Sequence, residues 1–475
     1  MKEINYKWIA LSCTTLGALF SVLSGSTLIV ALPVIMKELH ASMNIITWTI
    51  MGYMLIMTIL VPSIGRMGDM YGRKKLYVSG FAVFTLASLL CGFSQSGIQL
   101  LIFRLVQAVG GALMVANSTA IVADAFPKEE LGKALGLNIM VISIAFIIGP
   151  ILGGFLMSFG WRSIFYINIP IGIIGTLWSA TQLKEINKTA IKQTFDLKGT
   201  LTFSIGVLIL LIALSLGAFM GWTNLYVLLL FLISITLLVV FVRIENNTVQ
   251  PMLDLRLFKT RVIAFAYISN FLNGLARGAV TFLLIFYFQG IKGMDPLVAG
   301  LLLSPFAISM MIVSPFSGGL SDRYGARVLS SVGLLITAVG LGGLMMIKAT
   351  TSITELIVWM LIMGFGSGMF FSPNTSAIMG SVPADKRGIA AGVNTMMNNA
   401  GTVLSIALSM AIISSSISPD AMQALFLGTQ VGSNGIAINE FVSGLRMAFT
   451  ISFAFSLIAA IMSYLRGPKP NWETE

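Results

Sequence analysis

The chain has 475 residues, of which 56% are hydrophobic and only 10% are charged. This composition excludes a soluble globular protein, because a soluble fold of this length needs far more polar surface. The net charge of +11 would suit a nucleic-acid partner, but the basic residues fall in alternate loops between long apolar runs. That distribution is typical of membrane topology, so we expect a lipid bilayer around the chain and no nucleic acid.

Apolar windows of membrane-spanning length follow one another along the chain, since a hydrocarbon core of about 30 Å takes roughly 20 helical residues. Fourteen of them lie near residues 9–31, 44–65, 76–94, 98–121, 133–158, 162–183, 199–220, 224–243, 262–289, 296–318, 328–348, 353–378, 388–415 and 442–465. The sequence therefore predicts an all-α, multi-pass protein of the cell membrane. Lys and Arg collect on the side of the two chain ends, so the positive-inside rule predicts that both termini are cytoplasmic.

Two short stretches occur twice at nearly the same spacing. Residues 65–75 are echoed by 318–327, and residues 127–138 are echoed by 383–394. A repeat that keeps its register across half of the chain predicts two homologous membrane halves, as in many secondary transporters. The predicted domains are an N-terminal six-helix bundle at 1–183, connectors and an inserted two-helix hairpin at 184–261, and a C-terminal six-helix bundle with a cytoplasmic tail at 262–475.

Five motifs lie in order on the expected spans. They are G-x-L-x-D-x-x-G-R-K at 65–74 (with Met67 for Leu), its partial copy at 318–327, R-x-x-Q-x-x-G at 104–110, G-P-x-x-G-G at 149–154, and WRSIFYINIP at 161–170. On these motifs the chain resembles the major facilitator superfamily, and within it the fourteen-span drug:proton antiporters of the QacA type. The resemblance covers nearly the whole chain. It implies two six-helix bundles around a central cavity, and we expect a monomer that exchanges small molecules for protons.

The first motif and its copy place charged residues at a tight turn between two spans. Glycine permits such a turn, and a carboxylate there can hold the N-terminus of a neighbouring helix. The resemblance implies that the cluster latches the two halves together when the outer side is open. A basic loop that only orients the helices is the alternative. The latch candidates are Asp69, Gly72, Arg73, Asp124, Asp322 and Arg323.

Charged residues in or near the spans are candidates for proton coupling, namely Arg104, Asp124 and Glu355. An Arg in hydrocarbon costs at least a few kcal/mol, so Arg104 should face protein or water. The resemblance implies that it tunes proton transfer; bonding to backbone carbonyls is the alternative. For the antiporter motif, the resemblance implies a hinge and seal between the halves, whereas small residues also serve plain helix packing. The hinge candidates are Gly149, Pro150, Gly153 and Gly154.

The first span departs from the family pattern, because Ser24 stands where Asp is usual. No other carboxylate falls at mid-membrane, which weakens both proton coupling by the standard route and a preference for cations. Arg277 lies in the ninth span. If it lines the cavity, it would favour an anionic or neutral substrate; if its side chain only packs against neighbouring helices, it would have no effect on substrate charge. Polar residues within spans either line the cavity or bond helices together. The cavity candidates are Ser24, Tyr53, Asn117, Asn273, Arg277 and Asn374.

The residues and the resemblance together predict a secondary transporter. Its expected activity is the proton-driven efflux of small amphiphilic drugs or toxic compounds by alternating access. The alternative is a carrier of an anionic or neutral metabolite, with or without proton coupling. A membrane enzyme or sensor is disfavoured, because the chain has one histidine and two cysteines and no phosphate loop. We therefore expect neither a cofactor nor a metal site.

Overall fold

The computed structural model describes residues 2–41, 43–185, 196–248, 251, 253, 255–416 and 435–467. Within these residues the regular elements are all helical, and 14 helices are long and apolar enough to cross a membrane. The predicted all-α fold with fourteen spans is confirmed. The first half contains α1 (Lys2–Glu38), α2 (Met43–Tyr71), α3 (Arg73–Gly92), α4 (Gly97–Ala125), α5 (Leu131–Met157), and a sixth span split into α6 (Ser163–Tyr166) and α7 (Asn168–Gln182).

The remaining helices form the hairpin and the second half. The hairpin consists of α8 (Leu197–Met220) and α9 (Leu225–Asn247). The second half contains α10 (Arg261–Arg277), α11 (Val280–Phe286) with a π-helical end (Tyr287–Ile291), α12 (Pro296–Leu301), α13 (Ser304–Tyr324), α14 (Ala326–Leu344), α15 (Ile353–Gly380), α16 (Arg387–Ser416) and α17 (Gly435–Leu465). Short 3-10 helices at Leu255–Lys259 and Ala384–Lys386 precede α10 and α16.

Successive spans alternate in direction, so α1 begins and α17 ends at the same end of the molecule. The basic loops that the sequence predicts to be cytoplasmic also lie there. We call this end the basic face and the opposite end the far face. Several helices begin at the far face with a side-chain cap, such as Ser96 before α4 and Asp295 before α12, because the first amides of a helix have no partner within it.

The two halves meet along two pairs of helices. α2 packs against α16, and α5 packs against α13. The hairpin lies beside the first of these pairs, where α8 contacts both α2 and α16. Phe203 and Val207 of α8 join a buried apolar cluster with Leu55 of α2 and Val393 of α16. The hairpin therefore bridges the halves through apolar contacts.

The ninth span, which the sequence predicts as one continuous helix at 262–289, has a two-residue gap in its regular helical hydrogen bonds. α10 ends at Arg277, and α11 begins only at Val280. Gly278 lies in this gap, and a Cβ there would press on the backbone of Thr402 in α16. Gly278 and Ala279 keep right-handed helical backbone angles, and the amide of Ala279 donates to the hydroxyl of Ser405 in α16 at 3.0 Å. The span therefore stays helical through this gap and lends one amide to α16.

Candidate functional site

The halves approach closely at two pairs of glycines near the basic face. Gly65 of α2 lies against Gly388 of α16, and Gly318 of α13 lies against Gly132 of α5, so closely that a Cβ on either partner would overlap the other's carbonyl. Small residues permit such close helix crossings. The internal sequence repeat maps one pair onto the other, because Gly65 corresponds to Gly318 and Gly132 corresponds to Gly388. The basic face is thus closed by two equivalent crossings.

An aspartate beside the first crossing binds the N-terminus of the opposite helix. Asp69, at the end of α2, accepts hydrogen bonds from the backbone N–H groups of Gly388 and Ile389, each at 3.0 Å. These amides lie in the first turn of α16, where they have no partner within the helix and carry partial positive charge. A carboxylate of one half therefore caps a helix of the other.

The second crossing repeats this contact. Asp322, near the end of α13, accepts hydrogen bonds from the N–H groups of Gly132 at 2.9 Å and Lys133 at 3.1 Å, in the first turn of α5. The turns that follow the two aspartates also match, since Gly72 and Gly325 have positive φ angles of 105° and 83°. Glycine adopts these angles without the strain that a side chain would cause. The two copies of the motif therefore fold alike.

Arg73 connects Asp69 to a second acid and to the opposite half. Its Nε and Nη2 donate to Asp69 Oδ1 at 3.1 Å and 2.6 Å, and its Nη1 donates to Asp124 of α4. Nη2 also donates to the carbonyl of Ala384 at 2.6 Å, just before α16. Arg387, the first residue of α16, donates to the second oxygen of Asp124 at 3.2 Å. Two carboxylates and two guanidinium groups thus neutralise one another in a mostly buried cluster, which we call the gate network.

Sequence reasoning missed two members of this region. Glu185, in the connector after α7, accepts a hydrogen bond from the backbone N–H of Arg73 at 2.8 Å and so caps α3; no motif pointed to it. Arg387 was detectable in principle, because it lies in the echoed segment at the position of Leu131 in the first copy. An arginine that replaces an apolar residue at a repeated position indicates a role specific to one half.

The second copy of the motif lacks the arginine–acid pair. Ala326 stands at the position of Arg73, and Gly380 stands at the position of Asp124. Arg323, which we expected in the latch, is exposed at the end of α13. The structure therefore does not bring it into the cluster, because its place in the turn directs it to the surface. The two crossings share the aspartate, but only the first carries the gate network.

Arg104 lies inside the N-terminal half, with 2% of its surface exposed. Its guanidinium lies over the ring of Tyr53, 4.4 Å from the centroid, and donates to the side chain of Gln107. Gln107 in turn donates to Ser88 of α3 at 2.6 Å. The hydroxyl of Tyr53 is 3.2 Å from that of Ser21. Arg104 is therefore held by side chains and an aromatic face, and no acid of the described chain forms an ion pair with it.

Arg277 ends α10, just before the gap in the ninth span. Its guanidinium lies 5.1 Å from the ring centroid of Phe371 and 5.7 Å from that of Phe306, and its buried Nε has no hydrogen-bond partner. One turn earlier, the buried side-chain amide of Asn273 has no partner at either atom. Buried polar atoms nearly always have partners in folded proteins. Asn273 and Arg277 therefore offer donors and an acceptor beside two aromatic rings.

Three other cavity candidates bond to their own half. Ser24 accepts a hydrogen bond from Asn168 of α7 at 3.1 Å. Asn117 donates to a carbonyl of its own helix at 2.8 Å. Asn374 accepts from Arg466 at 2.7 Å. These contacts match the alternative in which intramembrane polar residues join helices.

The antiporter motif lies where α5 crosses α1. Gly149 and Gly153 face α1 so closely that added Cβ atoms would press on it, whereas Gly154 faces Leu297 of α12 in the second half. α5 runs through Pro150 without a break, and the Pro150 side chain lies outside the described residues. Two of the three glycines thus serve packing within one half, and Gly154 alone among them meets the other.

Glu355 lies in the first turn of α15 at the far face and is exposed. Its backbone N–H donates to the hydroxyl of Ser352 at 3.2 Å. Ser followed three residues later by Glu is the capping-box pattern that starts helices. Ser352 is therefore the cap of α15, and Glu355 contributes its backbone N–H to that cap.

The chain is similar in sequence to known membrane transporters. The Major Facilitator Superfamily profile matches residues 14–242, 190–406 and 266–475. The riboflavin transporter RibZ of Clostridioides difficile (strain 630) is 35% identical over 416 residues, which cover 87% of this chain and 88% of the relative. The multidrug transporter protein MdtP of Bacillus subtilis (strain 168) is 32% identical over 397 residues, which cover 83% of this chain and 73% of the relative.

Two solved structures share the fold at low sequence identity. The human organic anion transporter MFSD10 (TETRAN) is 14% identical, with a TM-score of 0.68 over 96% of this chain and 99% of that chain. The proton:xylose symporter XylE is 13% identical, with a TM-score of 0.65 over 97% of this chain and 95% of that chain. At these identities the similarity is one of fold.

Proposed function

Because the chain belongs to the Major Facilitator Superfamily, whose members transport small molecules and are not enzymes, we propose that it exports small amphiphilic molecules from the cytoplasm in exchange for protons. The observation that carries the proposal is a pair of aspartate contacts at the basic face, one from each half, which the sequence repeat relates to each other. Asp69 and Asp322 each hold a helix of the opposite half. A relative named as a multidrug transporter supports the amphiphilic substrate class.

Alternating access follows from the position of these contacts. While both aspartates cap the opposite helices, the basic face stays closed and the central site opens only toward the far face. Opening the basic face requires both caps and the inter-half bonds of Arg73 and Arg387 to break. Buried charges that lose their partners are costly, so the open state needs compensation from substrate or from protons.

We assign proton coupling to Asp69 and Asp124 of the gate network. A proton on Asp69 removes the charge that faces both Arg73 and the N-terminus of α16, and thereby weakens the closed state. Arg104 has no acid partner in the described chain, and Glu355 is exposed in the first turn of α15 at the far face. Neither of these two residues connects the halves, so we place them outside the coupling step.

Transport driven by an imposed pH gradient tests this assignment. Asp69→Asn and Asp124→Asn should each reduce the dependence of transport on the gradient, measured in proteoliposomes with a fluorescent substrate. Glu355→Gln is the matched control and should behave like the wild type. If both gate variants keep the wild-type gradient dependence, the coupling does not pass through the gate network.

The surroundings of Arg277 favour a second candidate, a carrier of neutral or anionic metabolites. Arg277 and Asn273 present unpartnered polar atoms beside Phe371 and Phe306, which suits a planar molecule with hydrogen-bonding edges. A relative named as a riboflavin transporter supports this reading. Arg277→Gln should then weaken riboflavin transport, whereas transport of the cation ethidium should be unchanged or improved, since a positive charge is removed.

A further inference from the structure

Three arginines from three elements converge on the basic end of α17. They donate to its last three carbonyls: Arg261 Nε to Leu465 at 2.7 Å, Arg327 Nε to Tyr464 at 2.8 Å, and Arg466 Nε to Ser463 at 3.1 Å. Cations at a helix C-terminus are favourable because its carbonyls lack partners and carry partial negative charge. Capping uses the Nε of each guanidinium. Arg466 Nη2 also donates to Asn374 at 2.7 Å and to the hydroxyl of Ser463 at 2.8 Å, so Nη1 is the nitrogen that Arg466 offers for a further contact. The Arg327 guanidinium lies over the ring of Tyr464, 4.1 Å from its centroid.

A cavity at the basic face lies beside these arginines. Its lining includes Arg327, Arg466, Ala326 and Gly380 of the second half and Lys128 of the first. Arg466 is 1% exposed, and its Nη1 is buried without a hydrogen-bond partner. No acidic side chain of the described chain forms an ion pair with it. Burial lowers the pKa of Arg466 to about 9, as expected for a cation without a counter-ion.

The first half contains the equivalent cavity, and comparison shows what the second half lacks. That cavity is lined by Arg73, Asp124 and Glu185, among others, and there the carboxylate of Asp124 neutralises Arg73. In the second half the two positions are Ala326 and Gly380. The cavity of the second half therefore keeps a buried cation from a different element and lacks the counterpart of Asp124. The acid in its lining, Asp322, accepts hydrogen bonds from the amides of Gly132 and Lys133.

We infer that this cavity, which we call the second-half cavity, binds a phosphate group between Arg466 and Arg327 of one half and Lys128 of the other. Guanidinium groups bind phosphate oxygens through paired, charge-assisted hydrogen bonds. The group can belong to an anionic lipid at the membrane surface or to a free phosphate. Bound there, it joins the halves next to the Asp322 contact and holds the basic face closed. The site thus makes a second latch that depends on a ligand.

Thermal unfolding of the full chain in nanodiscs tests the inference. One set of discs contains only phosphatidylcholine and is titrated with inorganic phosphate; a second contains increasing fractions of phosphatidylglycerol without added phosphate. A ligand that binds the folded state and not the unfolded state raises Tm, and the stabilisation grows with the logarithm of 1 + [L]/Kd. We expect one of the two titrations to raise the wild-type Tm, and which one does identifies the source of the phosphate.

Two variants and one control make the result specific. Arg466→Gln should weaken the response at least about tenfold in apparent affinity, since charge-assisted bonds are lost. Gly380→Asp should abolish it while keeping the fold, because it places an acid where Asp124 stands in the first half and no atom lies within 4 Å of the added Cβ. Arg446→Gln is the control, since Arg446 caps a carbonyl at the far face.

The inference is overturned if neither titration shifts the wild-type Tm, or if Gly380→Asp responds as strongly as the wild type. A response that Arg446→Gln loses as fully as Arg466→Gln would also overturn it, because the effect would then follow net charge rather than this cavity.

Discussion

Asp69→Asn should open the basic face far more readily than the equivalent Asp322→Asn. Asp69 accepts two hydrogen bonds from Arg73 and two from amides of α16, and an Asn side chain keeps only one acceptor oxygen. The bonds from Arg73 lie within the first half, so the difference between closed and open states comes from the amides of α16 and from Arg73, which loses the charge that directs it toward the Ala384 carbonyl of the second half. Charge-assisted hydrogen bonds contribute about 1.5–3 kcal/mol each, so the closed state should lose roughly 3–5 kcal/mol relative to the open state. Asp322→Asn removes only a negatively charged helix cap, so it should destabilise the closed state by about 1 kcal/mol.

Distances between spin labels across the basic face measure this difference. Cysteines replacing Tyr71 and Tyr324, which are 55% and 79% exposed at the ends of α2 and α13, would carry the labels in a background without Cys13 and Cys91. Since about 1.4 kcal/mol is a factor of ten, Asp69→Asn should shift the closed-to-open ratio by more than about a hundredfold and Asp322→Asn by about tenfold or less.

A control aspartate separates gate opening from general loss of a helix cap. Asp295 caps α12 at the far face, where it accepts from the N–H of Leu297 at 2.9 Å, so Asp295→Asn should leave the distances unchanged. Equal distance distributions in Asp69→Asn and the wild type would refute the assignment of the gate network.

The remaining predictions concern packing, coupling and substrate charge. Gly388→Val should prevent closure of the basic face, because its side chain would overlap Gly65 and Asp69; the label distances should lengthen, whereas Gly319→Ala, with no atom near its added Cβ, should leave them unchanged. Asp124→Asn and Arg387→Gln should destabilise the protein less together than the sum of their single effects, with a coupling of about 0.5–3 kcal/mol in thermal unfolding; additive effects would contradict a direct bond. Ser24→Asp should increase ethidium transport, because it restores a carboxylate in the first span beside Asn168; unchanged ethidium transport would contradict the charge argument.

Much of the fold was predictable because bilayer thickness imposes a length on every span. Apolar windows gave the fourteen helices, and the echoed segments gave the correspondence of Gly65 with Gly318. The hydrogen-bonding gap after Arg277 was not predictable, because the partner of the Ala279 amide is Ser405, which lies in α16 far along the chain.

The gate was only partly visible in the sequence. Asp69, Arg73 and Asp124 stood out as charges at the ends of apolar spans. Their partners could not be predicted from the sequence. Asp69 binds backbone amides of α16, and almost any residue type can supply an amide, so the contact leaves no sequence pattern. Arg323 misled for the opposite reason: it shares a charge and a motif with the gate, but the turn directs its side chain to the surface.

Uptake into inside-out membrane vesicles with an imposed proton gradient tests the central claim most directly. The account predicts that ethidium or riboflavin accumulates, that a protonophore abolishes the accumulation, and that Asp69→Asn and Gly388→Val each remove it. Accumulation that persists with the protonophore and in both variants would contradict an exporter that couples protons to closure of the basic face.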